Sequence, residues 1–227
     1  MPSAAEPRAR IAVLVSGRGR NLEALIQACG DGRIRGDLVG VLSNRADAPA
    51  LARARDAGIR TDVVAHADFP DRERFDGALG DALAALEPDI VVLAGFMRVL
   101  GPGFVRRQRG RMINIHPSLL PRHPGLHTHR RALEAGDREH GATVHFVTDE
   151  LDGGPCVIQG RLSVQPQDTP DLLADRVMTD VEIRILPQAV AWMAEHLLSL
   201  REDGRAQWRG RALDSPLQLA DLDEAFR

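Results

Sequence analysis

The chain has 227 residues, 44% hydrophobic and 27% charged, with a formal net charge of -3, which is the composition of an ordinary globular protein long enough to bury the core of one large domain. The small net charge, aromatics at 4% and the lack of any tyrosine argue against a nucleic-acid partner, which would need a basic surface or base-stacking platforms. Cys29 and Cys156 are too far apart for a metal-type spacing and too few for a disulfide framework, which suits a reducing cytoplasm.

Residues 1–10 are polar and read as a loose leader. The following "IAVLV" is too short for a signal or a membrane span, so a cytoplasmic protein with no membrane partner is expected. "RIAVLVS" (10–16) is a continuous apolar run, read as a strand buried on both faces. "NLEALIQACGDG" has helical spacing and a glycine stop. "DLVGVLSN" is a second strand and "APALARARDAG" a second helix. "TDVVA" is a short third strand, and "DRERFDGALGDALAALEP" a third helix halted before Pro88. "DIVVLAGF" is a fourth strand. Strand–helix alternation at this spacing predicts βαβ units and a parallel sheet with helices on both faces.

After Arg98 the pattern changes. "MINIH" (112–116) is a fifth strand, and "GLHTHRRALEAG" a loop and helix. "GATVHFV" and "CVIQGRLSV" flank the turn-rich "TDELDGGP" and read as an antiparallel hairpin with a long loop. From Thr169 to Leu200 the chain is helical. Leu173, Val177, Val181 and Ile185 form an i, i+4 stripe, and Pro187 kinks or divides the helix. The tail from Arg201 is polar, with one strand at "QWRGRAL". The expected fold is α/β: a Rossmann-like, mostly parallel central sheet flanked by helices, with an antiparallel hairpin in the C-terminal half. One domain spans 1–227, with halves at about 10–100 and 101–200 and a tail over 201–227.

"SGRGRN" (16–21) joins the first strand to the first helix. Backbone N–H groups at a helix N-terminus bind anions, and glycines let a phosphate approach. The turn lacks the third glycine of the dinucleotide fingerprint, and the second strand ends in Asn44 where a ribose-binding acid would stand. No Walker lysine is present. A single phosphate suits it better than a dinucleotide.

Asn114 and His116 interrupt an apolar strand two residues apart. Period two puts them on one face, with Ile113 and Ile115 on the other, and Pro117 helps end the strand. Open α/β sheets place ligands at that end. An amide beside an imidazole suits acyl transfer: the amide holds a developing oxyanion, and the ring donates a proton or stabilises charge. No nucleophile elbow surrounds Ser118, and Cys156 has no evident activating base. Direct attack by a substrate amine is therefore expected. A carboxylate beside His116 would orient the ring and favour its charged form. Asp149, Glu150 and Asp152 share one loop and all are candidates; Gly153 and Gly154 there allow close backbone approach. His123, His127 and His129 offer H-x-H and H-x3-H spacings, but no further metal signature accompanies them, and no metal is expected.

These stretches together resemble the glycinamide ribonucleotide (phosphoribosylglycinamide) formyltransferases, folate-dependent enzymes of purine synthesis. The resemblance covers residues 11–192 and rests on "VLVSGRGRNLEALI", "VVLAGFMRVL" and "NIHPSLLPRHPGLHTHRRALEAGDREHGATVHFVTDELDGGP". It implies that the amine of glycinamide ribonucleotide attacks the formyl carbon of 10-formyltetrahydrofolate through a tetrahedral intermediate. It implies a phosphate-binding first half and a catalytic, folate-binding second half, two small-molecule substrates, and a monomer or homodimer. By the same resemblance, Asn114, His116 and Asp152 are the catalytic residues. Gly19, Arg20 and Asn21 hold the substrate phosphate through backbone N–H groups. Glu182, or else Asp180, binds the ribose hydroxyls, and Arg72 faces the ribonucleotide. Met97, Arg98, Val99 and Leu100, with Asn114 and Asp152, line the folate pocket. The related readings are a methionyl-tRNA formyltransferase, which needs a nucleic-acid domain, and a formyl-folate hydrolase, which carries a regulatory domain. A silent nucleotide-binding module would keep the turn and lack one of the catalytic three.

Overall fold

The computed structural model describes residues 7–227. Most of the expected leader lies outside the described residues. Its last two positions are not loose: Ala9 and Arg10 open the first strand, β1 (Ala9–Val15). The other parallel strands are β2 (Gly36–Ser43), β3 (Thr61–Val63), β4 (Ile90–Leu93) and β5 (Met112–His116); β4 is an apolar run buried on both faces, whereas β3, at the sheet edge, is half-exposed. The crossovers between them are α1 (Arg20–Gly30), α2 (Pro49–Asp56), α3 (Arg72–Ala84) and α4 (Pro102–Arg107). Sequence analysis did not anticipate α4, because Gly-Pro-Gly reads as a turn. Pro102 instead occupies the first helical position, and the preceding Gly101 N–H donates to the Asp76 carboxylate of α3 at 2.7 Å.

The second half holds α5 (Thr128–Glu134), the hairpin strands β6 (Glu139–Phe146) and β7 (Cys156–Ser163), α6 (Pro170–Val177) and α7 (Ile183–Ala194). The tail is more structured than its polarity suggested. Just before it, β8 (Leu198–Leu200) replaces the end of the segment read as helical to Leu200, because the helix stops at Ala194 and the chain turns at His196, φ 56; the tail itself supplies β9 (Ala206–Trp208), β10 (Arg211–Ala212) and β11 (Leu217–Gln218). The single strand expected at "QWRGRAL" is split by Arg209 and Gly210, both at positive φ, into the antiparallel pair β9 and β10. Trp208 stacks edge-on against the fully buried Trp192 of α7, at 5.5 Å between centroids. Asp223 accepts from both Trp192 Nε1 and Gln188 Nε2.

The eight-stranded sheet runs β11-β7-β6-β5-β4-β1-β2-β3, and β6 alone opposes its neighbours. The chain leaves β1 for β2 on one side and returns to β4 on the other. That reversal is the topological switch point where ligands sit in open α/β sheets. Alternate residues feed two cores. Ile11, Val13 and Val15 pack with Leu22 and Leu25 of α1 and Ile185 of α7. Ala12 and Leu14 pack with Phe75 and Leu79 of α3 and Phe104 of α4.

The long C-terminal helix is divided, but not at Pro187. A π turn over Met178–Glu182 separates α6 from α7, and Pro187 lies one turn inside α7. The expected stripe survives: Leu173, Val177, Val181 and Ile185 are all fully buried. A π turn holds one residue more than an α turn, so both halves keep an apolar face on the sheet while Glu182 swings inward.

Candidate active site

The glycine turn follows β1 at the switch point. Gly19 is the N-cap of α1, at φ 78 and ψ 29, and contributes no side chain to the cap. The first-turn N–H groups of a helix lack intrahelical acceptors and here border a cavity of about 730 Å3 that includes Gly19, Arg20, Asn21 and Arg45. Two conditions demand glycine at position 19: its left-handed backbone, and a Cβ there would lie 2.6 Å from Ala50 Cβ. Arg20 turns away from the turn, pairing with Asp175 and donating to Thr179 Oγ1 at 2.8 Å.

Asn21 and Glu182 meet at the junction of the turn and the helix break. Asn21 Nδ2 donates to Glu182 Oε2 at 2.6 Å, and both residues are 5% exposed. Burial raises the Glu182 carboxyl above the usual carboxylate range, against the opposing pull of the Asn21 bond and the Arg20 charge. Asn21 Oδ1 is buried without a partner. Of the two acids left open by the sequence, Asp180 is exposed and Glu182 lines the central cavity.

β5 delivers Asn114 and His116 on one face, beyond Met112, while Ile113 and Ile115 join the opposite core. Antiparallel pairing sets Asn114 directly across from His145 of β6. Asn114 Nδ2 and His145 Nε2 are 3.1 Å apart, and His145 Nδ1 lies 3.0 Å from Phe146 O. The carbonyl requires a donor at Nδ1, so Nε2 accepts the amide hydrogen. Burial holds the His145 ring below the ordinary imidazole range, consistent with this neutral form. The amide of Asn114 is thereby fixed with its second N–H free. Sequence analysis missed His145; the hint was a polar residue within the apolar run of β6, but its partner depends on register.

The loop between β6 and β7 brings in Asp152, at φ 52. Its carboxylate is 3.4 Å from His116 Nδ1 and accepts from Gly125 N–H at 2.8 Å. His116 Nε2 donates to His123 O at 3.0 Å. Both ring nitrogens thus face acceptors, which only a doubly protonated imidazole satisfies fully. Of the other two acids, Asp149 pairs with Arg106 and Glu150 is exposed. The expected close approach is present at Gly154, where a Cβ would fall 1.8 Å from Phe146 O.

Asn114, His116 and Asp152 line a cavity of about 500 Å3 that also reaches Asn21 and Glu182. It shares Asn21, Gly95 and Met97 with the cavity over the glycine turn, so the two form one crevice. Met97 and Val99, 66% and 54% exposed, give it an apolar wall together with Arg98. Leu100 lines a smaller adjoining recess of about 100 Å3 that also contains Asn114, His145 and Asp152. Arg72 borders none of these cavities. It opens α3, where helical spacing sets it against Asp76 one turn on, and its Nε would lie 3.8 Å from a Cβ at Gly101.

The loop histidines do not converge on one point. His123 Nε2 is 2.7 Å from Asp137 Oδ2, and His129 Nδ1 is 3.1 Å from His140 Nε2. Among the described residues no group of three or more His, Cys, Asp or Glu could hold a metal ion. Burial, and then neighbouring histidines, lower His129 and His140 from 6.5 to about 4. Above pH 6.5 both are neutral folded or unfolded. As pH falls from 6.5 to about 4, only the unfolded chain takes up these protons, so stability should decline by on the order of 1 kcal/mol per pH unit for each. Urea midpoints between pH 7 and 4 should show that slope, and His140→Gln should flatten it; identical slopes would refute the assignment.

Residues 9–190 match the formyl transferase family. A phosphoribosylglycinamide formyltransferase of Escherichia coli (strain K12) is 50% identical over 198 residues, covering 87% of this chain and 92% of that protein. A solved phosphoribosylglycinamide formyltransferase from Coxiella burnetii superposes with a TM-score of 0.88 at 46% identity, covering 93% of this chain and 99% of that one. A glycinamide ribonucleotide transformylase from Symbiobacterium toebii gives a TM-score of 0.86 at 42% identity, covering 90% and 95%.

Proposed function

The chain belongs to the formyl transferase family, and from that premise we propose that it transfers the formyl group of 10-formyltetrahydrofolate to the amine of glycinamide ribonucleotide in purine biosynthesis. The products are formylglycinamide ribonucleotide and tetrahydrofolate. The observation that carries this reading is the trio at the end of β5. An anchored amide and an imidazole share one face, a carboxylate lies 3.4 Å from that imidazole, and their cavity continues to a glycine turn fit for a phosphate.

The roles are those the family resemblance implies, and the geometry supports them. Backbone N–H groups of Gly19, Arg20 and Asn21 hold the phosphate at the positive end of α1. Glu182 takes the ribose hydroxyls, and the orphaned Asn21 Oδ1 gains a donor when the ribonucleotide binds. Met97 to Leu100 wall the folate. The amine forms a bond to the formyl carbon, and the formyl oxygen becomes an oxyanion. The free N–H of Asn114 and the His116 ring stabilise that charge. The carbon–nitrogen bond to the folate then breaks. The proton shed by the amine reaches the departing nitrogen, with Asp152 and His116 as the relay. In this reading 1–227 acts as one formyltransferase domain, a cytoplasmic monomer or homodimer with small-molecule substrates. No helix of the described residues is long and apolar enough to cross a membrane.

The test is a mixture of pure protein, glycinamide ribonucleotide and 10-formyl folate, followed by folate absorbance. A change that requires the ribonucleotide is expected. A change without it would indicate hydrolysis, and no change would overturn the proposal. Glu182 gives a second measurement. Its raised carboxyl means that stability is lost as pH rises through that group's titration in the folded state. Glu182→Gln removes the buried charge, so its melting temperature should exceed the parent's at pH 8, with the gap closing toward acid. The same variant should raise KM for the ribonucleotide roughly 10-fold through the weakened hydroxyl bond. An unchanged KM would remove Glu182 from the ribose site.

A further inference from the structure

We infer that Asp137 is a positioning residue for formyl transfer, holding from outside the cavity the short segment that orients both His116 and Asp152. The inference rests on the functional reading above. Asp137 lines none of the crevice, yet its carboxylate is only 6% exposed. A buried carboxylate is costly unless both oxygens are satisfied. Here two consecutive residues satisfy them: Arg122 Nη2 on Oδ1, and His123 Nε2 on Oδ2 at 2.7 Å.

That pairing bears on the backbone of residues 122–125. His123 is at φ 53 and Gly125 at φ 76. The left-handed conformation is unfavourable for a histidine, and the grip on its side chain offsets this. In this conformation the His123 carbonyl accepts from His116 Nε2 at 3.0 Å. Two residues on, the Gly125 N–H donates to Asp152 Oδ2 at 2.8 Å. One segment thus sets the ring of His116 and the carboxylate of Asp152. Ser118 Oγ also holds it, donating to Arg122 O at 2.7 Å, and Arg131 donates to Pro124 O. Losing Asp137 should therefore loosen the segment without unfolding it.

Asp137→Asn keeps the shape and removes the charge. It is expected to lower kcat roughly 10- to 100-fold, with KM for both substrates within about 3-fold of the parent. In nitrogen-15 NMR, the His116 Nε2–H should exchange with solvent at least about 10-fold faster in the variant, because its acceptor is no longer held. A kcat per folded molecule within about 2-fold of the parent, even with a lowered melting temperature, would overturn the inference. If Asp137→Asn does not fold, His123→Phe and His123→Gln decide the matter. Glutamine keeps a donor for Asp137 and should lose less kcat than phenylalanine; equal losses would overturn the inference. A parent protein without ribonucleotide-dependent transfer would defeat the functional reading instead, and the His116 NMR comparison would still test the positioning.

Discussion

Replacing His116 with alanine is expected to lower kcat roughly 10²- to 10⁴-fold while leaving affinity for both substrates within about 3-fold. The ring is 6% exposed and lies at the junction of three constraints: the β5 backbone, the His123 carbonyl and the Asp152 carboxylate. In the proposed reaction it acts on the formyl oxygen rather than on the phosphate or the folate body, so its loss should fall on the transition state. Single-turnover rates, with calorimetric titration of an unreactive folate analogue, separate the two effects. A rate within 10-fold of the parent would sink the assignment. A loss of binding equal to the loss of rate would make His116 a ligand-binding group instead. A catalytically silent module would bind as before with no turnover to lose.

Asn114→Ala should lower kcat roughly 10²- to 10³-fold, the usual effect of removing one donor to a developing oxyanion. One amide hydrogen is already committed to His145 Nε2 at 3.1 Å, so the other is aimed before substrate arrives. The alanine variant also strands His145 Nε2 as a buried acceptor, and a modest loss of stability should accompany the kinetic loss. In the proposed mechanism Asn114 and His116 act on the same oxygen, so the double variant should fall by less than the product of the two single effects. Full multiplicativity would mean that the two residues serve separate steps.

Much of this site is legible in the sequence where local periodicity decides it. Period two is enough to put Asn114 and His116 on one face, and the β5 boundaries fall where the apolar run and Pro117 suggest. The glycine turn is equally local. What depends on pairing between distant residues is not. Asp152 could be separated from Asp149 and Glu150 only by family resemblance, because its place depends on how a long hairpin loop folds back. His145 was invisible as the partner of Asn114, since nothing local states that residues 31 positions apart stand opposite each other. Where Arg72 stands is likewise not local: a basic residue near the right motif says nothing about which way its helix turns, and here it opens α3 outside the cavity linings. The helix break shows the other limit. Apolar spacing reads through a π turn unchanged, and proline, the obvious breaker, sits elsewhere.

The edges of the large sheet bear on strand-to-strand association. Its outermost strands are β3 with three residues and β11 with two, whereas β1, β2, β6 and β7 have seven or eight. β11 covers Ile158 and Gln159 of β7, and that strand carries the charged Arg161 just beyond. A long unpaired edge would be a template for another chain, and short or charged edges withhold it. Strand addition at the two outermost strands of the large sheet is thereby disfavoured. That leaves the carboxyl ends of the central strands, where the crevice opens, clear of the routes by which sheets aggregate.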